Sequence, residues 1–382
     1  MSSIVPRRAL TRVAASITGL ALVAALALAS VAAASPREEG GGGRLRHIFV
    51  IMLENTSRTA LVGDPNAPFI THLATTYAQA TNYDGVTHPS EPNYVAAISG
   101  SNWFVNDDDP ANTFDHTNLV DQLEAHHLSW AAYMDAMPEA GFTGTQWPSN
   151  AGLYVNKHNP FVLFTDILSD PARLAHIKPY TSLAGDLRSG HVASFVWITP
   201  DTCNDLHGGV YVAVAGHPET PCPYPSTNSP TDPAQVKLVQ QADAFVRGAV
   251  TEIMASRVWR QGHAAIFIVS DEGSYDSSGG SLANDGWLST AGCCDAPILP
   301  PGYQFLNSSG TPDGNVWPGG TYGGGNVPAI VVSTGGPRHF VTGLAYNHYS
   351  LLRTIEANWN LGYLGNASDA AQVQAMTPLL GG

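Results

Sequence analysis

Basic residues are scarce in this chain: 17 Lys and Arg stand against 31 Asp and Glu, a formal net charge of −14. Phosphate backbones are gripped by Lys and Arg, so this balance excludes nucleic acid as a partner. Long apolar runs are scarce too. Val13 to Ala29 is the one long apolar run, and it is short for a membrane span. Internal repeats and heptads are absent, which excludes solenoid and coiled-coil architectures. Cysteines number four, Cys203, Cys222, Cys293 and Cys294, an even count that suits an oxidising compartment. Cys203 with Cys222 would close a short loop. Neighbouring cysteines bond only with strained geometry, so Cys293 with Cys294 is the weaker pair.

The chain opens with Arg7, Arg8 and Arg12, then the apolar run, then Ser30-Val31-Ala32-Ala33-Ala34. Charged, apolar and small segments in that order make residues 1–34 a secretory signal peptide, so the protein is expected to be secreted or otherwise extracytoplasmic. The Arg7-Arg8 pair hints at the twin-arginine route, although the residues after it match poorly. Left uncleaved, the same run would be an N-terminal anchor; cleaved, it leaves no membrane span. Residues 35–45, with Gly40 to Gly43, form a flexible linker to a folded part of 46–382. Loss of the leader arginines makes the remainder more acidic still. A phosphate bound there would need local positive charge, most simply a metal ion.

Arg46 to Leu53 is continuously apolar from Ile48, as in a strand buried within a parallel sheet. Trp130 to Met134, Val192 to Ile198, Ala264 to Ser270 and Val327 to Ser333 read as further strands. Helical spacing covers Ala67 to Ala78, Leu119 to His126, Pro233 to Arg257 and His348 to Asn358. Alternation of the two predicts an α/β fold, a mostly parallel central sheet with helices on both faces. The Gly-, Ser- and Asn-rich stretch 274–326 is expected to be an irregular insertion beside the site.

Acidic groups follow three of the strands: Glu54-Asn55, Asp201 with Asp205 and His207, and Asp271-Glu272. Open α/β sheets bind ligands beyond the carboxyl ends of their strands. One acid there is ordinary turn chemistry. Three converging on one edge would repel each other, which makes a divalent cation their natural partner. Oxygen donors suit magnesium, calcium or manganese; His207, and His348 at the mouth of the last helix, admit zinc or iron. A second focus is Thr87-His88-Pro89-Ser90-Glu91-Pro92-Asn93-Tyr94, followed by apolar Val95 to Ile98. Pro92 in a first turn predicts a helix with Ser90 at or near its N-cap. Such a serine is either a cap or a nucleophile placed to hold an anion beside free N–H groups. Lys157 is either a solvated lysine or a positive charge near that anion.

These segments resemble the phosphoesterase family that includes bacterial secreted acid phosphatases and phospholipases C, within the alkaline-phosphatase-like superfamily. Six ordered blocks carry the likeness: His47 to Asn55, His88 to Tyr94, Lys157 to Pro160, Thr199 to His207, Ser270 to Gly273, and His348 to Glu356. It is strongest to secreted acid phosphatases of the mycobacterial kind, which dephosphorylate phosphatidylinositol 3-phosphate. The resemblance implies Glu54, Asn55, Asp271 and Glu272 as metal ligands and Ser90 as nucleophile, with His88 in the same catalytic segment. His158 and His207 would face the phosphoryl oxygens or the leaving group. Asp201, Asp205, His207 and His348 lie where two-metal relatives hold a second ion, so one ion or two is implied. The implied activity is metal-dependent hydrolysis of phosphomonoesters through a phosphoserine, in a range reaching phosphatidylinositol 3-phosphate. Alternatives are a phospholipase C-type phosphodiesterase and a non-catalytic secreted protein that binds phosphate ligands. The formylglycine signal Cys-x-Pro-x-Arg is missing, which argues against a sulfatase. A monomer acting on a phosphate ester, with a phosphoinositide lipid among the candidates, is expected.

Export should leave a mature N-terminus close to Ser35. N-terminal sequencing of the protein from culture fluid or envelope checks this, and a chain still starting at Met1 refutes it.

Overall fold

The apolar run behind Arg46 forms strand β1, His47–Leu53, buried from Ile48 onward. In this computed structural model the described residues are 44–225, 231–274, 294–306, 312–316 and 319–381, all within the compact unit Gly40–Gly382. An eight-stranded sheet surrounds β1. Its other members are β2 (Ala78–Ala80), β3 (Trp130–Met134), β4 (Ile177–Pro179), β5 (Phe195–Thr199), β6 (Ala264–Ser270), β7 (Ala329–Ser333) and β8 (Phe340–Thr342). Across the sheet they run β8-β2-β7-β6-β1-β5-β3-β4. β1 pairs in parallel with β5 and β6, while β7 lies antiparallel to β6 and β2. The sheet is therefore mostly parallel, as the pattern predicts.

A strand buried on both sides feeds two cores. Ile48, Val50 and Met52 of β1 enter one, and Phe49, Ile51 and Leu53 the other. Five helices matter here: α1 (Pro68–Thr76), α2 (Ser90–Ser99), α3 (Leu119–Ala125), α4 (Pro233–Ala255) and α5 (His348–Trp359). The first core takes Tyr94, Val95 and Ile98 from α2 with Leu351, Leu352 and Ile355 from α5. The second takes Ile70 and Leu73 from α1 with Leu238, Val246 and Ile253 from α4. Full burial of a side chain of this size contributes roughly 1.5–3 kcal/mol, so packing holds these helices where propensity alone would not.

Local chemistry sets the boundaries. α4 stops at Ala255, short of the expected Arg257, because Ser256 turns extended and caps the next turn by accepting from Trp259 N–H. α2 begins at Ser90 with Pro89 in the cap position and no side-chain cap bond, which leaves the Ser90 hydroxyl out of capping. It ends on Gly100 in the left-handed region, φ 77°. Register then places the site. Leu53 pairs with Ser270 and Ile51 with Ile198, so Glu54, Asp271 and the segment after Thr199 leave the sheet at one edge.

Within the expected insertion, Ile298–Leu299 pairs with Gly320–Thr321 and Gln304–Leu306 with Pro312–Val316. The chain returns to the site at Gly324, packed backbone to backbone on Gly85; a Cβ on Gly85 would sit 2.6 Å from the Asp271 carbonyl oxygen. The leader, most of the linker and Cys293 lie outside the described residues. Among the described residues no helix is long and apolar enough to cross a membrane.

Cys203 and Cys222 are bonded, with Cα atoms 5.5 Å apart across a separation of 19 residues. Replacing both by serine should cost roughly 3 kcal/mol through the loop entropy returned to the unfolded chain. Urea titration measures this, and an unchanged midpoint refutes it.

Candidate functional site

Ser90 is the first residue of α2 and is buried. Its hydroxyl donates to Glu54 Oε2 at 3.0 Å and lies 3.4 Å from Glu272 Oε1. Glu54 leaves the end of β1, with its own N–H held by the Asp205 carbonyl at 2.7 Å. Asp271 and Glu272 leave the end of β6. Asp271 Oδ1 accepts from Asn55 N–H at 3.0 Å, and Glu272 Oε2 lies 2.6 Å from His88 Nδ1. The helix start is itself committed, because Glu91 N–H donates to Asp108 Oδ1 at 2.9 Å.

Two histidines and a lysine close the other side. His158, on the short 3-10 turn Asn156–His158, stands between two acids. Its Nε2 is 3.3 Å from Glu54 Oε1 and its Nδ1 3.2 Å from Asp205 Oδ2. Tyr94, one turn into α2, stacks on it with ring centres 5.6 Å apart. His207 is placed by the Asp205 turn, whose Oδ1 accepts the His207 N–H at 2.7 Å. Its Nδ1–H donates to the Gly208 carbonyl at 2.9 Å, which leaves Nε2 to accept from Lys157 Nζ at 3.3 Å. Lys157 pairs with Asp108 at 2.8 Å. It is thus a committed charge inside the site rather than a solvated lysine.

Burial dominates the electrostatics. It pushes the carboxyls of Glu54, Asp205, Asp271 and Glu272 well above their usual range, and the charge of Asp271 adds to the effect at Glu54 and Asp205. It holds His88 down at about 3, and His207 likewise at about 3 with help from Lys157. His158 is also pushed well down, by burial first and then by Lys157. Burial would lower Lys157 as well, but Asp108 and Glu54 outweigh it and its pKa is raised.

Glu54 Oε1, Asp205 Oδ2 and Asp271 Oδ2 are buried without a hydrogen-bond partner. Glu54, His158 and His207 each present a donor atom, all within 4.8 Å of one another. Orphaned carboxylate oxygens beside imidazole nitrogens, with Lys157 as the nearby ammonium, fit a divalent cation.

The structure gathers Ser90, His88, His158, His207, Glu54, Asp205, Asp271 and Glu272. The second-ion set suggested by the sequence is not gathered at one point. His348 has both ring nitrogens occupied: Nδ1 by the Tyr83 hydroxyl at 2.9 Å, Nε2 by the Asp271 carbonyl. It buttresses the end of β6 from behind. Asp201 spends Oδ1 on the N–H groups of Cys203 and Asn204, and its carboxylate groups with His217 and Glu219. Asn55 contributes its backbone N–H to Asp271. Sequence reasoning missed Asp108, which sits in the run Asp107-Asp108-Asp109 and reads there as a solvated loop. It gave no role to Tyr94, His217 or Glu219.

Residues 64–218 and 231–362 match the Phosphoesterase family. Among curated proteins, the chain is 36% identical over 172 residues to a phosphate-repressible acid phosphatase of Penicillium chrysogenum, covering 44% of this chain and 40% of that one. It is 34% identical over 189 residues to an acid phosphatase of Aspergillus fumigatus, covering 47% and 41%. A phosphatidylinositol-3-phosphatase of Mycobacterium tuberculosis is 29% identical over 206 residues, 53% of this chain and 66% of that one. The chain therefore spans about two fifths of the fungal relatives' length. Among solved structures, a Bacteroides thetaiotaomicron protein from a locus for glycosaminoglycan metabolism superposes at TM-score 0.50 and 11% identity, over 88% of this chain and 82% of that one. A Vibrio parahaemolyticus protein in the alkaline phosphatase superfamily does so at TM-score 0.48 and 11% identity, over 89% and 69%. At such identities the first likeness is one of fold alone.

The raised pKa of Glu54 gives a signed test. A carboxyl raised by folding stabilises the chain below its ordinary value of 4.5 and loses that contribution as pH rises toward the folded value. In chelator-treated protein, Glu54→Gln should therefore melt above wild type at pH 8, with the gap closing as pH falls to about 4.5. Thermal melts across that range decide it; a gap that is flat or widens toward acid refutes it.

Proposed function

The chain belongs to the phosphoesterase family, and from that premise we propose that it is a secreted, metal-dependent acid phosphatase acting on phosphomonoesters through a phosphoserine. The observation that carries this reading is the Ser90 hydroxyl, buried at a helix start and hydrogen-bonded at 3.0 Å to a carboxylate with no capping duty. Glu54, Asp271 and Glu272 would hold a divalent cation, with Asn55 at their side. When bound, that ion supplies the positive charge that lowers the pKa of a hydroxyl and neutralises non-bridging phosphoryl oxygens.

The protein groups divide the remaining work. Glu54 Oε2 is in place to take the Ser90 proton as Oγ attacks phosphorus in line. Lys157 offers its charge to the phosphoryl oxygens beside His207. His207, its tautomer fixed by Gly208, is neutral in the free protein. A phosphate dianion set against Nε2 opposes the effect of Lys157, so the ring can carry a proton to the departing alkoxide. Water then attacks the phosphoserine from the side the alcohol left, with the same ring as base. The mycobacterial relative's name supports phosphatidylinositol 3-phosphate as one substrate. The Cys203–Cys222 bond and the leader sequence support export.

The test is turnover of p-nitrophenyl phosphate, micellar phosphatidylinositol 3-phosphate and a bis-aryl diester by the purified chain. Monoester turnover should vanish on chelation and return with a divalent ion. Ser90→Ala should abolish it while the fold and most metal binding persist. Asp271→Ala should lose metal and activity together. His207→Ala should cost on the order of 10²–10⁴ in rate. A folded Ser90→Ala protein working at near wild-type rate refutes the reading.

A further inference from the structure

A second group of donors lies outside the Ser90 pocket. Asp201, His217 and Glu219 each present a ligand atom, all within 4.8 Å of one another. His217 and Glu219 belong to the loop closed by the Cys203–Cys222 bond. Their positions are tightly built. Thr220 Oγ1 accepts from Val214 N–H at 2.8 Å and donates to the His217 carbonyl at 2.7 Å. Gln241 of α4 donates to the Glu219 carbonyl at 2.7 Å.

Asp201 supplies the independent sign of a ligand. It is 2% exposed, Oδ1 is used by two backbone N–H groups, and Oδ2 has no hydrogen-bond partner. A buried carboxylate oxygen without a partner costs free energy that only a cation or a donor can return. Asp135 deepens the deficit: Asn204 holds its Oδ2 at 3.1 Å, and its charge acts on Asp201 together with that of Glu219. Beside these acids stands His217, whose Nδ1 is 2.6 Å from Glu219 Oε1. One histidine cannot balance three acids.

We propose that Asp201, His217 and Glu219 form a divalent-cation site distinct from the Ser90 pocket. One imidazole nitrogen and two carboxylates suit a zinc- or manganese-class ion better than magnesium, which favours oxygen donors alone. His217 and Glu219 are partly exposed, with side chains at 30% and 15%, so an ion can enter without opening the core. Bound there, it joins the end of β5 to the disulfide loop that also carries His207. It would stiffen that loop from behind without touching substrate.

The inference is independent of the phosphatase reading. Chelator-stripped full-length protein is dialysed against manganese or zinc chloride, and ions per chain are counted. Wild type should hold one ion more than His217→Ala/Glu219→Gln, whereas Glu54→Gln/Asp271→Asn should keep the extra ion. Hydrogen exchange across residues 201–222 should slow on metal addition in wild type and not in the His217/Glu219 variant. If the double variant misfolds, Glu219→Gln alone should weaken the extra ion at least tenfold. Equal stoichiometry in wild type and the His217/Glu219 variant, or equal loop protection, overturns the proposal. A chain that binds this ion yet never turns over a phosphomonoester loses the phosphatase reading and keeps this one.

Discussion

Mutual repulsion among Glu54, Asp205, Asp271 and Glu272 is the constraint on which the rest of the structure depends. Acids this close, shut away from water, cannot all ionise on their own, since low dielectric magnifies both their solvation loss and their repulsion. The surrounding backbone is spent on containing them. Asn55 and His207 give their N–H groups to Asp271 and Asp205, and Lys157 is held nearby by Asp108. Ser90, His158 and His207 gain their orientation from the same acids. The site is best understood as a negative cavity shaped for a positive ligand, with the nucleophile as one part of its wall.

Much of this was legible in the residues. The run from Ile48 to Leu53 reads as a doubly buried strand, and the acids behind three such strands meet once the strands are parallel neighbours. What periodicity could not convey was depth. Lys157 looks like any surface lysine because its partner Asp108 is 49 residues away, in a stretch that reads as a polar loop. His348 has the type and position of a ligand. Only the geometry shows its two nitrogens consumed by Tyr83 and Asp271. The direction of β7 was equally hidden, since an apolar run carries no sign for parallel or antiparallel pairing. Likewise His217 and Glu219 lie beyond a bend that brings them back on Asp201, and no spacing rule announces it.

The loop after β5 carries residues of both donor groups. Asp205 and His207 belong to the acidic cavity, while Asp201, four residues before Asp205, groups with His217 and Glu219. The disulfide closes this segment just behind them. Cys203, Leu206, Val210 and Cys222 anchor this segment in the second core. Tyr224 just beyond the disulfide lies with its ring centre 5.2 Å from that of His207, so the loop returns to cover the histidine it carries.

The contact between His348 and the Asp271 carbonyl has a consequence for the order in which the molecule comes into being. It ties the end of β6 to a helix that starts 77 residues later. Before α5 is made, the Asp271 turn lacks its rear support, and the first core lacks Leu351, Leu352 and Ile355. A growing chain therefore has no finished acidic cavity until α5 has been synthesised, and it emerges with its chemistry unassembled.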